Sequence, residues 1–239
     1  MDVAITQVPI WLSILFIISF STIPVFLINK AVKSAYENGN YNTSYLVRKK
    51  ITVFYILYLI IVGMVSLTGF FTKNVLPPRI FIATVIPLFL FYVGYVQRTK
   101  WFAIVLKNIK LEQLVFIHIF RFVGVFFFLV YFYNAIPKEF AFIGGAGDII
   151  TAILVFPVVI ALKKGYSFAK LVTYIWNIIG LIDIILVLVT AVVLTNEAVR
   201  NTTEAVEQFG TFPFSWIPAF APATIIFLHI LVFKKLKEE

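Results

Sequence analysis

Seven apolar runs, at about 9–29, 51–72, 80–97, 112–133, 139–162, 169–195 and 214–233, constrain this chain more than anything else in it. A bilayer core of ~30 Å takes ~20 apolar residues as helix, and the runs reach or approach that length. Backbone groups in hydrocarbon must be satisfied within the spanning element, which leaves helices and closed barrels. Barrel strands alternate apolar and polar positions over ~10 residues, whereas these runs are continuous. The expected fold is therefore all-α: a polytopic integral membrane bundle of seven transmembrane helices, one transmembrane domain over 1–239. Composition agrees, since 13% of residues are charged and 62% hydrophobic, against about a quarter charged in soluble domains.

Charge sets the expected orientation. Taking alternate sides of the spans, one side carries 15 Lys and Arg and the other 4, with Arg121 left inside a span. The positive-inside rule then puts the N-terminus outside and the C-terminus in the cytoplasm. The formal net charge of +9 sits in short clusters beside apolar runs, which opposes anionic lipid and gives no footprint for nucleic acid. The lipid bilayer, of a bacterial cytoplasmic membrane, is the expected partner. MDVAITQVPI lacks a positive n-region, so the first run reads as a retained span. There is no cysteine, which removes thiolate metal sites and thiol nucleophiles, and no cofactor or metal is expected. Asn42-Thr43-Ser44 and Asn201-Thr202-Thr203 match glycosylation acceptors. YENGNYNTSY is the clearest polar break, the aromatic and basic stretch from Trp101 reads as an interfacial lead-in, and NEAVRNTTEAVEQFG reads as the longest external loop.

The strongly polar intramembrane side chains all fall in the last four spans, so 1–111 reads as three passive spans with basic loops and 112–239 as the working part. Span four holds His118 and Arg121 in FIHIFRFVG, three apart and on one helical face. Span five holds Gly144, Gly145, Gly147 and Asp148; in span six Trp176, Gly180 and Asp183 share a stripe with Asn177 to one side. At ~1.5 Å per residue, Arg121 and Asp148 lie ~15 Å deep, Asn177 ~12 Å, Asp183 ~21 Å and His229 only ~6 Å from the cytoplasmic boundary, which reads as an interfacial or capping position. A charged group at the bilayer centre costs at least ~2.5–3.5 kcal/mol and so faces protein or a water-filled cavity. Arg121 cannot lose its proton and needs a carboxylate, either Asp148 or Asp183. The other is then protonated, or shared in a network with His118 or Asn177. The glycines before Asp148 make either a tight helix crossing or a local helix break that exposes backbone to a cavity.

RFVGVFF, PKEFA, AGD preceded by GG, WNIIGLID, WIPAF and FLHI resemble a set of functionally uncharacterised bacterial multi-pass membrane proteins with R-x-x-G-x-x-F, P-x-x-F-A, A-G-x-G-D, W-N-x-x-G-x-x-D and I-P-x-F patterns. The likeness covers about 112–239 and departs at GGAGD, where the pattern has alanine first. It implies that Arg121, Gly147, Asp148, Trp176, Asn177 and Asp183 act as one unit, and it implies no activity. Gly145-Ala146-Gly147-Asp148 also spells the motif of the G-x-G-D intramembrane aspartyl proteases, and Pro218-Ala219-Phe220 loosely resembles their P-A-L element. That likeness would make Asp148 and Asp183 a catalytic dyad, although in that family the partner aspartate precedes the motif.

The favoured expectation is a small transporter or small-molecule-binding protein. Its midplane polar pocket is built from His118, Arg121, Gly147, Asp148, Trp176, Asn177 and Asp183, with Asp148 or Asp183 available to carry a coupled proton. The alternatives are the aspartyl protease, a structural or accessory subunit in which Arg121 fixes helix register, and a haem electron carrier with His118 and His229 as axial ligands. A retinal Schiff base is excluded, because the last span has no lysine before Lys234.

Overall fold

The computed structural model describes residues 4–201 and 206–238, so Asn201-Thr202-Thr203 lies partly outside the described residues. The chain forms α1 (Ile10–Asn38), α2 (Ser44–Leu67), α3 (Phe81–Arg98), α4 (Lys100–Asn108), α5 (Leu111–Phe132), α6 (Lys138–Lys164), α7 (Ala169–Asn201) and α8 (Trp216–Glu238). All but the short α4 are long and apolar enough to cross a membrane, which makes seven. Among the described residues the only β pairing is one isolated bridge between Ile5 and Phe212.

The helices outrun the apolar segments that announce them. α1 extends nine residues beyond the expected end at 29, through a basic and polar tail, and α2 begins at Ser44 rather than 51. The break at YENGNYNTSY therefore shrinks to a turn over residues 39–43. α7 continues to Asn201 through half of the expected external loop. Hydropathy sees where lipid ends, whereas hydrogen bonding carries a helix on into water until a cap or a breaker stops it. At the end of α6 the breaker is Gly165, whose φ of 65° is the left-handed conformation that closes a helix, with Lys163 and Lys164 in the last turn. Pro87 explains the irregular start of α3. Its ring clashes with the carbonyl four residues back, and the turn ahead of it, Phe81–Val85, widens to π geometry. The stretch from Trp101 is a separate helix, capped by the Thr99 hydroxyl accepting from the Phe102 backbone N–H.

α8 is the centre of the bundle. Of its most apolar window 78% is buried, against 33% for α1 and 28% for α7, and it packs on α2, α3, α5 and α7. Aromatic rings lock its N-terminal half to α1: Phe16 lies 4.5 Å from Phe214 and 6.2 Å from Trp216, centroid to centroid. α2 is tied in by polar atoms that would otherwise be stranded. Trp216 Nε1 donates to the Leu59 carbonyl at 2.9 Å and Tyr58 Oη to the Ala219 carbonyl at 2.8 Å. Trp216 is thus a core residue and no interface anchor. On the outside, Leu171, Ile175, Ile179, Ile182, Leu186, Val189 and Val193 form an exposed stripe at spacings of three and four along α7, a continuous apolar face of the kind hydrocarbon covers.

The native chain has no cysteine, so single cysteines can report these environments. A spin label on Ile179→Cys is expected to be highly accessible to dissolved oxygen in bilayer nanodiscs, and one on Ala223→Cys, at the centre of α8, nearly inaccessible. Equal accessibility at the two positions would contradict the bundle arrangement.

Candidate functional site

α5 changes its winding where the polar side chains begin. Leu111–Ile117 is α-helical, His118–Gly124 is 3-10, and Val125–Phe132 is α-helical again. Three residues per turn put His118, Arg121 and Gly124 on one edge, all buried and facing α6, α7 and α8. Seven residues is long for a 3-10 run, in which hydrogen-bond geometry is poor. The irregular backbone thus falls in span four. The helix break considered for the GGAG segment does not occur: α6 runs unbroken through Gly144, Gly145 and Gly147. Those glycines are contact surfaces. A Cβ on Gly124 would lie 2.6 Å from the Asp148 Cβ and 2.9 Å from the Gly145 carbonyl, one on Gly144 would strike Phe127, and one on Gly147 would run into the Asp183 carboxylate.

The close approach delivers the carboxylate of Asp148 to Arg121, whose side chain is fully buried. Arg121 Nε donates to Asp148 Oδ1 at 2.7 Å, Nη2 to Asp183 Oδ2, and Nη1 to the Gly180 carbonyl at 3.0 Å and to His229 Nε2 at 3.3 Å. Four of the guanidinium's five N–H groups are thereby used. Both aspartates bind the arginine, so of the two expected alternatives the one in which His118 or Asn177 holds the second carboxylate is corrected. Among the described residues, neither His118 nor Asn177 is hydrogen-bonded to either carboxylate.

His229 is the second correction. It is fully buried and bonded to Arg121 and Asn177 inside the bundle, where an interfacial or capping position was expected; beyond it α8 runs on to Glu238 and docks on α4, Lys235 Nζ donating to the Leu106 and Lys107 carbonyls. Its hydrogen bonds define its state. Arginine has no acceptor, so Nε2 must offer a lone pair; Nδ1 then carries the proton and donates to Asn177 Oδ1 at 2.7 Å. The Asn177 amide returns a bond to the His229 carbonyl at 3.0 Å. Gly180 makes the room, since a Cβ there would lie 2.6 Å from the His229 ring. Trp176 donates Nε1 to the Thr151 carbonyl at 3.1 Å, riveting α7 to α6, and meets the His118 ring edge-on at 5.0 Å. Sequence reasoning missed the parts played by the Gly180 carbonyl, Gly124 and Thr151. A small residue one 3-10 turn beyond Arg121 was the available signal for Gly124.

His118 is fully buried, and neither ring nitrogen has a hydrogen-bond partner. Its ring lies 4.3 Å from that of His229, centroid to centroid, and both nitrogens of His229 are engaged. A porphyrin has no room between the rings and no free nitrogen on one of them, so these residues do not fit a bis-histidine haem. The protease reading also loses its second element: Ala219 and Phe220 contact Tyr58, Tyr55 and Phe20, about 15 Å along α8 from His229.

The cluster lines none of the three cavities described. The largest, about 670 Å³, lies between α1, α2, α3, α4, the start of α5 (Leu114 and Ile117) and α8, among Tyr55, Phe91, Tyr92, Thr224 and Phe227, with Lys50 its one charged lining residue. Residues of the first three spans supply much of its wall. Packing leaves the space: aromatic side chains spaced along diverging helices cannot interdigitate to full density.

The family described as a domain of unknown function (DUF8737) matches residues 76–237, more than half of the chain, which therefore belongs to that family. The match takes in α3 to nearly the end of α8 and hence the whole cluster. No curated protein and no solved structure matches the chain.

Breaking the cluster one-sidedly strands a buried charge, which costs about 3–5 kcal/mol. Arg121→Met is expected to lower unfolding stability in detergent by roughly that amount. The triple change Arg121→Met, Asp148→Asn, Asp183→Asn, which removes all three charges together, should recover much of it. A single variant as stable as the wild type in chemical unfolding would refute the network.

Proposed function

We propose that this member of the DUF8737 family is an integral protein of a bacterial cytoplasmic membrane, N-terminus outside and C-terminus inside. In this reading it binds and moves a small molecule with an apolar body, and the Arg121 cluster is its proton-exchanging element. The substrate place is the cavity between α1, α2, α3, α4, the start of α5 and α8, not a midplane polar pocket. At about 670 Å³ it falls within the ~300–1,000 Å³ of small-molecule sites, and its aromatic walls suit a hydrophobic ligand whose polar end lies toward Lys50.

The observation that carries the proposal is the double commitment of α8. Phe220, Thr224, Phe227, Leu228 and Leu231 line the cavity, while His229, roughly 150° round the helix from the middle of that face, holds Arg121. A ligand that shifts α8 must also disturb the cluster. The cluster is poised to respond, because two carboxylates face one guanidinium and His229 is neutral by its hydrogen bonds. One negative charge is left over in a buried place, and a proton is the smallest group that balances it.

A second reading has its own support: with four guanidinium N–H groups satisfied inside the protein, the cluster also suits a register lock in a structural subunit. The experiment separates the two. In nanodiscs, a naphthyl-amine fluorophore is expected to bind the wild type, and Thr224→Trp, which fills the cavity, to weaken it by at least about tenfold. Asp183→Asn should keep binding but abolish ligand-dependent proton uptake into proteoliposomes. Unchanged binding by Thr224→Trp overturns the cavity assignment. Proton uptake that survives in Asp183→Asn and Asp148→Asn leaves the cluster a lock.

A further inference from the structure

Three lysines from three separate helical elements line one recess at the basic end of the bundle; the recess adjoins the large cavity at Ala31 and shares no residue with the Arg121 cluster. Lys30 comes from α1, Lys110 from the residue that caps α5, and Lys163 from the last turn of α6, and together they line a hollow of about 210 Å³. Glu112 is the one acidic group in its lining. Among the described residues none of the three lysines is ion-paired; the pairs formed are Lys33 with Glu37, Lys235 with Glu238, and the two of Arg121. The three lysines are exposed and share the recess with the single carboxylate of Glu112, so the lining carries an excess of positive charge that an anion would offset. The base of the recess is apolar, with Phe116 and Val159 in its lining, and the Lys30 ammonium stands 5.4 Å over the Phe116 ring.

We infer that this recess is a binding site for the phosphate headgroup of an anionic membrane lipid, with the first carbons of the acyl region against Phe116 and Val159. The two linings select the ligand. Three ammonium groups supply up to nine N–H donors to phosphate oxygens, and Ser34 and Gln113 add neutral polar groups. The apolar base matches a molecule that continues into hydrocarbon, which a free phosphate does not. Basic hollows between spanning helices are where anionic headgroups are held, each lysine adding about fivefold in affinity. The ligand would bridge α1 to α5 and α6, adding to the contacts that Asn38 and Lys30 of α1 already make with Gln113 and Phe116 of α5.

Native mass spectrometry of the full chain, released from nanodiscs of phosphatidylcholine doped with phosphatidylglycerol, tests the site. The wild type is expected to retain one phosphatidylglycerol in preference to phosphatidylcholine. The triple variant Lys30→Gln, Lys110→Gln, Lys163→Gln should lose this retention by about two orders of magnitude. A control triple, Lys49→Gln, Lys170→Gln, Lys234→Gln, removes the same charge from the same end and should keep it, as should the arginine triple at the three site positions. Equal loss in the control, or no lipid preference in the wild type, would overturn the site. Displacement of the bound lipid by inorganic phosphate alone would overturn its assignment to a membrane lipid.

Discussion

One guanidinium holds the second half of this protein together. Arg121 is wholly buried and permanently charged, so everything around it is arranged to supply acceptors: a carboxylate from α6, a carboxylate and a carbonyl from α7, an imidazole nitrogen from α8. Four elements are thereby fixed in depth and rotation relative to one point. Buried ion pairs contribute little net stability when compared with a well-packed apolar core, but they discriminate strongly between registers. In a bundle whose other contacts are largely aliphatic and aromatic, such a set of directional bonds favours the arrangement of the four helices that satisfies them together. The glycines serve the same end, since Gly124, Gly145 and Gly147 let the backbones come close enough for short aspartate side chains to reach.

Much of this was legible in the residues. Runs of apolar side chains mark all seven spanning helices to within a few residues at most ends, because lipid imposes a length and a chemistry that few soluble helices meet. The convergence of Arg121, Asp148 and Asp183 followed from cost alone: charges that deep have to find one another. His229 was misjudged because its role was read from distance along its own helix, which says nothing of the α5 and α7 side chains packed against it. The pairing of Asn177 with it was hidden for the same reason.

The cavity was not legible. It is a property of how six helices are spaced, and no residue within it is unusual: Tyr55, Phe91, Tyr92 and Phe227 look like packing residues because in most bundles they are. A void arises from the sum of side-chain volumes against inter-helix spacing, a quantity that no single sequence pattern encodes. The division into a quiet half and a polar half rested on counting ionisable side chains, which finds electrostatic sites and passes over apolar ones.

The winding of α5 carries a mechanical consequence. A 3-10 turn advances ~2.0 Å per residue and an α turn ~1.5 Å, so the seven residues from His118 to Gly124 hold ~3.5 Å of extra length. Rewinding them as α-helix would draw the two halves of that rod together and swing Arg121 ~60° away from the line it shares with His118. A single span would then act as a screw, in which axial travel and the aim of a charged side chain change in the same movement.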